Sequence, residues 1–164
     1  MDAEEFIRSI PPFTKYYLIA IFASTALSSI GIISAYSFLL YDFRLVYEHY
    51  QIWRFLTCFT FVGNFSFGFV FTLFYVHFGV SNFEKDMREK SHYDYYFFMV
   101  FACICAILFG WIYGDTSILY KEFVFAQIYV FAKRNPDMEV KIWGFKVTSG
   151  MFPWVLLGIH VLMG

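Results

Sequence analysis

Charge is scarce in this chain. Only 15% of its 164 residues are Asp, Glu, Lys or Arg, against 60% hydrophobic residues. A water-soluble domain of this length has too little interior to hide so much apolar surface. A core-rich bundle living only inside an oligomer is the one soluble alternative, and the apolar runs are too long for it. A basic excess is also missing. The formal charge is −1, so no stripe of cations exists to neutralise phosphates, and nucleic acid is excluded as a main partner. Cysteine is rare. Cys58, Cys103 and Cys105 sit in apolar runs, and Cys103-x-Cys105 has no second pair at metal-ligand spacing, so all three read as small buried hydrophobes. No basic segment precedes the first apolar run; its leading residues include Asp2, Glu4 and Glu5. No cleavable signal peptide is therefore expected, and the first run should stay as an anchor.

What is abundant is grease, much of it aromatic, with 24 Phe and 13 Tyr. Such a surplus needs a nonaqueous solvent, and a bilayer supplies one. Five apolar runs follow in order: about 16–36, 55–79, 95–114, 118–132 and 151–164. The first is 21 residues without a charge, which at about 1.5 Å per residue crosses a hydrocarbon core of about 30 Å. Pro11 and Pro12 bar any backward extension of its helix, and Thr14 is the expected N-cap. The fourth run, Ile118–Ala132, is short, with Lys121 and Glu122 near its start. The fifth is 14 residues, with Pro153 near its first turn, where proline is accepted. The charged stretch Phe83–Asp94 and the segment Lys133–Lys146 read as connecting loops. Tyr36–Arg54, which mixes aromatics with Asp42, Arg44, Glu48 and His49, reads as a segment lying on the membrane surface. The expectation is one all-α integral membrane domain over residues 1–164, a bundle of about five transmembrane helices, with no repeat and no soluble domain.

The cations set an orientation. With the N-terminus in the cytosol, Arg8, Lys15, Lys85, Arg88, Lys90, Lys133, Arg134, Lys141 and Lys146 fall on the cytosolic side. Only Arg44, Arg54 and Lys121 fall opposite. That asymmetry follows the positive-inside rule.

Four short motifs carry a resemblance: Ile10-Pro11-Pro12-x-Thr14-Lys15-Tyr16, Tyr50-Gln51-Ile52-Trp53-Arg54, Tyr129-Val130-x-x-Lys133-Arg134-Asn135-Pro136, and Pro153-Trp154-Val155-Leu156-Leu157-Gly158. In this order, and at these positions relative to the spans, they resemble the Derlin family of rhomboid-like pseudoproteases over essentially the whole chain. The resemblance implies a rhomboid-like helical bundle in the endoplasmic reticulum membrane. It also implies a non-catalytic role in degradation of misfolded proteins, aiding their retrotranslocation to the cytosol. The partners it implies are the lipid bilayer, misfolded substrates, a ubiquitin ligase complex and a cytosolic AAA ATPase, with homo-oligomerisation left open. Against the family's six spans, the sixth span and the cytosolic tail are missing here.

An active rhomboid-type serine protease is one alternative. It needs a Gly-x-Ser-Gly nucleophile at the fourth span and a histidine base in the sixth. Ser117 lacks the glycines, and Val147-Thr148-Ser149-Gly150 lacks the first one. Ser149 and His160 are 11 residues apart on what should be one helix, about 16 Å along its axis, whereas a base must come within about 3 Å of its nucleophile. A small multispan transporter is another alternative. It would need charges at mid-span, and none is present. His49 and His92 lie in surface segments, and His77 and His160 lie one per span. Neither a metal nor a cofactor is expected, and the chain is not expected to be an enzyme.

The residues singled out are therefore positional rather than catalytic. Trp53 is expected at headgroup depth, with Arg54 bonding loop carbonyls or lipid phosphate and holding the first loop against the bundle; Gln51 is marked with them as part of the same motif. Asn64 and Gln127, amides inside apolar runs, are expected to bridge helices or to face a lateral cavity. Arg134, Asn135 and Pro136 mark the loop after the fourth span. That span, at about 22 Å, is shorter than the bilayer core and would thin the membrane around it.

Overall fold

The protein's computed structural model describes residues 9–34, 38–113, 118–142 and 145–163; at 113, 140–142, 145–147, 159, 160, 162 and 163 it describes the backbone alone. Helices dominate: α1 (Pro12–Ser29), α2 (Phe43–His49), α3 (Arg54–Thr57), α4 (Phe67–Lys90), α5 (His92–Tyr113), α6 (Tyr120–Arg134) and α7 (Phe152–Met163). A hairpin of β1 (Glu139–Ile142) and β2 (Phe145–Thr148) and a 3-10 turn at Ser149–Met151 connect α6 to α7. The fold is thus helical with one hairpin, where the sequence led us to expect helices alone. The strands lie inside the stretch read as a loop, because a four-residue alternation is too short to stand out among polar residues.

The centre is the pair α4 and α6. Against it pack α1, α5 and α7. Val76, Val80, Phe83, Val124 and Ile128 of the pair are fully or almost fully buried. A Cβ on Gly79 would overlap the Ile128 side chain, so glycine is what lets the two helices approach this closely.

The second apolar run is not one helix. After α3 the chain turns through Cys58–Thr60, and Gly63 takes a left-handed φ of 117° before α4 begins at Phe67 under a Ser66 cap. The irregular part is nonetheless buried at Cys58, Phe59 and Phe61. Buried backbone outside a helix must find partners. Here α1 supplies them: Tyr17 Oη donates to the Phe59 carbonyl at 2.7 Å and Ser24 Oγ to the Thr60 carbonyl at 2.8 Å. At its other end α4 continues through the charged stretch expected to be a loop, and a single residue, Ser91, separates it from α5. The charges fall at i and i+4, Glu84 with Arg88 and Asp86 with Lys90, each at 3.1 Å, and this spacing supports a helix instead of ending it.

Thr14 is not the N-cap of α1. Pro11 holds that position with no side-chain bond of its own, and Pro12 opens the helix. The cap arrives from α4. Buried Glu84 accepts from Phe13 N at 3.0 Å, Thr14 N at 2.8 Å and Thr14 Oγ1 at 2.8 Å. A carboxylate there satisfies two orphan amides and the positive end of the helix dipole together.

By length and composition, one helix among the described residues is apolar and long enough to cross a membrane, His92–Ile112. Gly114 and Ser117, the two ends of the chain, and the close of the first run at residues 35 and 36 lie outside the described residues.

Candidate functional site

Two places bring polar side chains into apolar surroundings. The first is the loop before α3. Arg54 is fully buried, its Nε donating to Gln51 Oε1 at 2.6 Å and its Nη1 to the Leu40 carbonyl at 2.6 Å. Burial lowers the guanidinium's hold on its proton, while the Asp42 carboxylate opposes that. Asp42 itself caps α2, accepting from Arg44 N at 3.0 Å. Thr57 Oγ1 donates to the Phe38 carbonyl at 3.2 Å. Three of the residues marked in the sequence therefore converge: Gln51 orients Arg54, Arg54 clasps the chain at Leu40, and neighbouring Trp53 is half exposed. Around them Phe43, Tyr47, Tyr50, Ile52 and Leu56 are exposed, and Phe43 meets Trp111 of α5 at a ring distance of 5.9 Å.

The second place is a cavity of about 590 Å³ along the starts of α4 and α6, closed on a third side by Leu156 and Leu157 of α7. Ser66, Thr72, Tyr75 and Tyr120 line it among phenylalanines, and Lys121 and Glu122 stand on its wall. Tyr75 of α4 and Tyr120 of α6 both stand on its wall. Hydroxyls with one cation and one anion can accept a polypeptide's amide and carbonyl groups without preferring a sequence.

The remaining marked residues fare differently. Asn64 does not bridge helices; it is exposed in the bend that precedes α4. Hydropathy places it inside the span because the first half of the run, before Phe67, is as apolar as the helical part. Gln127 is fully buried, but its Nε2 donates within its own helix, to the Phe123 carbonyl at 3.3 Å, and its Oε1 has no partner among the described residues. Arg134 reaches back to α4, its Nε 3.0 Å from Asp86 Oδ2. Asn135 ends α6, its backbone N donating to the Phe131 carbonyl at 3.0 Å, and the Pro136 carbonyl accepts from Gly150 N at 3.2 Å.

Sequence reasoning missed Glu84 and Asp86, which it assigned to a loop. Asp86 feels opposing influences. Burial would raise its carboxyl, but hydrogen bonds from Lys90 and Asn135, with the charges of Lys90 and Arg134, outweigh burial and hold it below the usual range. Glu84 binds Arg88, whose guanidinium also lies 5.7 Å from the centre of the Tyr95 ring and donates to Tyr96 Oη at 3.1 Å. The signal that could have found them is the double i, i+4 charge pattern.

Ser149 is fully buried and its Oγ has no partner among the described residues. It begins the 3-10 turn, and α7 runs on through position 160. Among the described residues no three of His, Cys, Asp and Glu cluster as metal ligands.

Comparison with known proteins places this arrangement. The model of the Der1-like family matches residues 10–164. The chain is 31% identical over 163 residues to Derlin-1 of Oryza sativa subsp. japonica, a match covering 98% of this chain and 66% of that protein. It is 30% identical over 167 residues to Derlin-1 of Mus musculus, covering 99% and 66%. With Derlin-2.2 of Zea mays the figure is 28% over 172 residues, covering 98% and 69%. The chain thus spans about two thirds of the length of these relatives.

Proposed function

The chain belongs to the Der1-like family, and from that membership we propose that it is a multi-pass protein of the endoplasmic reticulum membrane. Its N-terminus faces the cytosol, and it assists degradation of misfolded proteins without cleaving them. The partners proposed with it are the misfolded substrates, a ubiquitin ligase complex and a cytosolic AAA ATPase.

The membrane reading is supported by what the helices leave uncovered. Ile19, Phe22 and Ile30 of α1, Phe97, Val100, Phe101, Ile104 and Ile112 of α5, and Trp154 and Val161 of α7 are all more than half exposed. An apolar surface spread over three helices is not tolerated in water, and lipid removes the penalty. The exposed aromatics around Trp53 suit the headgroup layer, where Trp and Tyr collect.

The observation that carries the functional reading is the cavity beside α4, α6 and α7. It offers hydroxyls and one ion of each sign within an apolar setting. An unfolded segment entering it could keep part of its backbone bonded while leaving water. The 15 residues of α6 reach about 22 Å, so the bilayer beside them would be thinned, which lowers the barrier to moving polar chain across.

The test is to fill the cavity. Gly68 lines the cavity, and a Cβ there would meet only Ser66 Oγ, at 3.5 Å, so a Gly68→Trp side chain can leave the backbone without a clash at its first atom. In cells depending on this protein, the variant should accumulate normally yet slow clearance of a misfolded lumenal substrate. Unchanged clearance would falsify the cavity's role. Inserting four leucines in α6 tests the thinning separately; it should impair export, and normal export would remove that part of the mechanism. Ser149→Ala should leave the substrate's fragments and its clearance unchanged, whereas loss of a cleavage product would reinstate a protease.

A further inference from the structure

Charges along the α4–α6 pair are unevenly partnered. At its closed end they are matched, Glu84 with Arg88 at 3.1 Å and Asp86 with Arg134 at 3.0 Å. On the wall of the cavity of about 590 Å³, Lys121 and Glu122 are exposed, and among the described residues neither makes an ion pair or a side-chain hydrogen bond. They follow Tyr120 in the first turn of α6, which Leu119 precedes without a side-chain cap. The first turn carries the positive end of the helix dipole, which suits a carboxylate and opposes an ammonium. The helix therefore gains nothing from Lys121. Glu122 also borders a second groove, of about 330 Å³ between α5 and α6, against Phe109, Ala126 and Tyr129. Both ions thus stand beside apolar side chains, with no counter-ion among the described residues.

We infer that Lys121 and Glu122 are counter-ions for the charged side chains of a polypeptide entering the cavity, Glu122 for its Lys and Arg and Lys121 for its Asp and Glu. The inference deepens the cavity reading proposed above and rests on it. With the N-terminus in the cytosol, α4 and α6 both start at the lumenal face, so the cavity is where a lumenal chain first leaves water. Charged side chains are the costliest part of that chain to bring in. An ion pair offsets part of the cost, and more strongly beside apolar walls than in water. Two ions already engaged with each other would not serve. Neighbours in sequence do not face each other on a helix, which keeps Lys121 and Glu122 apart. Together they make the cavity tolerant of either sign of charge, and each alone would make it selective.

Matched reporters test this in cells depending on this protein. One misfolded lumenal substrate carries an unfolded, neutral Gly–Ser insert; a second carries the same insert with arginines, and a third with glutamates. Arginine is used because lysine would add ubiquitin acceptors. The readout is each charged reporter's clearance rate divided by the neutral reporter's in the same cells, so a variant that merely folds less well leaves it unmoved. Glu122→Gln should lower the arginine ratio about fivefold, and Lys121→Gln should lower the glutamate ratio about as much, the change expected on losing one partly exposed ion pair. Glu122→Asp should keep the parental ratio. If both glutamine variants leave the ratios unchanged, or either lowers the two ratios alike, while Gly68→Trp slows all three reporters, the inference is overturned and the cavity reading stands. If Gly68→Trp slows none of the three, the cavity reading falls and this inference with it.

Discussion

The pair α4–α6 differs at its two ends. Towards their C-termini the helices are clamped. Gly79 admits Ile128, Arg134 holds Asp86, and Glu84 ties α4 to the first turn of α1. Towards their N-termini the same helices border a cavity of about 590 Å³, with Tyr75 and Tyr120 on its wall. At one end polar groups bind helix to helix; at the other, Ser66 and Thr72 bond within the first turns of α4 and a space stays open between the helices.

Substitutions should separate the ends sharply, and Glu84→Ala is the most severe. It leaves Phe13 N and Thr14 N without their acceptor at the start of α1 and takes the carboxylate from Arg88, which is partly exposed. The expected loss is about 3–5 kcal/mol, the range for breaking a buried ion pair from one side. Thermal unfolding in detergent would read it, and a loss no larger than that of Tyr120→Phe would erase the contrast between the ends. Tyr120→Phe removes one hydroxyl from the open end and should cost about 1 kcal/mol or less, because the cavity can supply water in its place.

Gly79→Leu comes next. It forces volume into the tightest α4–α6 contact, and overpacking of this kind costs about 1–3 kcal/mol. Gly79→Ala should do less, since Ile128 can shift its outer atoms. Equal stability of the leucine variant and the parent would mean the helices are not held this close. Arg54→Ala lies apart from the pair and tests the first loop. Unpairing the Leu40 carbonyl and Gln51 should cost about 1–3 kcal/mol and expose the loop at Leu39–Tyr41 to protease, leaving the clamped end intact.

These contrasts also explain which features the sequence disclosed. The helices α1 and α5 announce themselves through uncharged runs, α1 with prolines before it, α6 through an apolar run between charged ends, and Trp53 and Arg54 through a motif. The start of α4 did not, because Phe55–Val62 is as hydrophobic as any helix and only the bonds from Tyr17 and Ser24 reveal that it is irregular. The clamp was hidden for the opposite reason. Glu84 and Asp86 sit in a run so charged that it reads as solvent-facing, and nothing local tells that the partners of Glu84 lie some 70 residues earlier. Gln127 stands out in the sequence as an amide in an apolar run, but nothing there tells that it would be buried with its bond turned inward to its own helix. The cavity depends on how three helices splay, which no single segment encodes.

The smallest expected effect concerns Asp86, and its sign follows from protonation. The folded carboxyl titrates below its ordinary value because Lys90 and Asn135 donate to it and Lys90 and Arg134 attract its charge. A depressed folded pKa gives stability that is complete above the unfolded value of 3.8 and fades as pH falls through the folded one. The partners are partly exposed, at 56% and 35% of their side chains, so solvent screens the pair and its worth is about 0.5 kcal/mol. Asp86→Asn should therefore lower stability slightly at neutral pH and flatten that part of the acid limb, with added salt shrinking the difference. If the variant and the parent lost stability in parallel below pH 3.8, the carboxylate would not be holding α6 to α4, and Gly79 with Ile128 would be the whole of the clamp between those two helices.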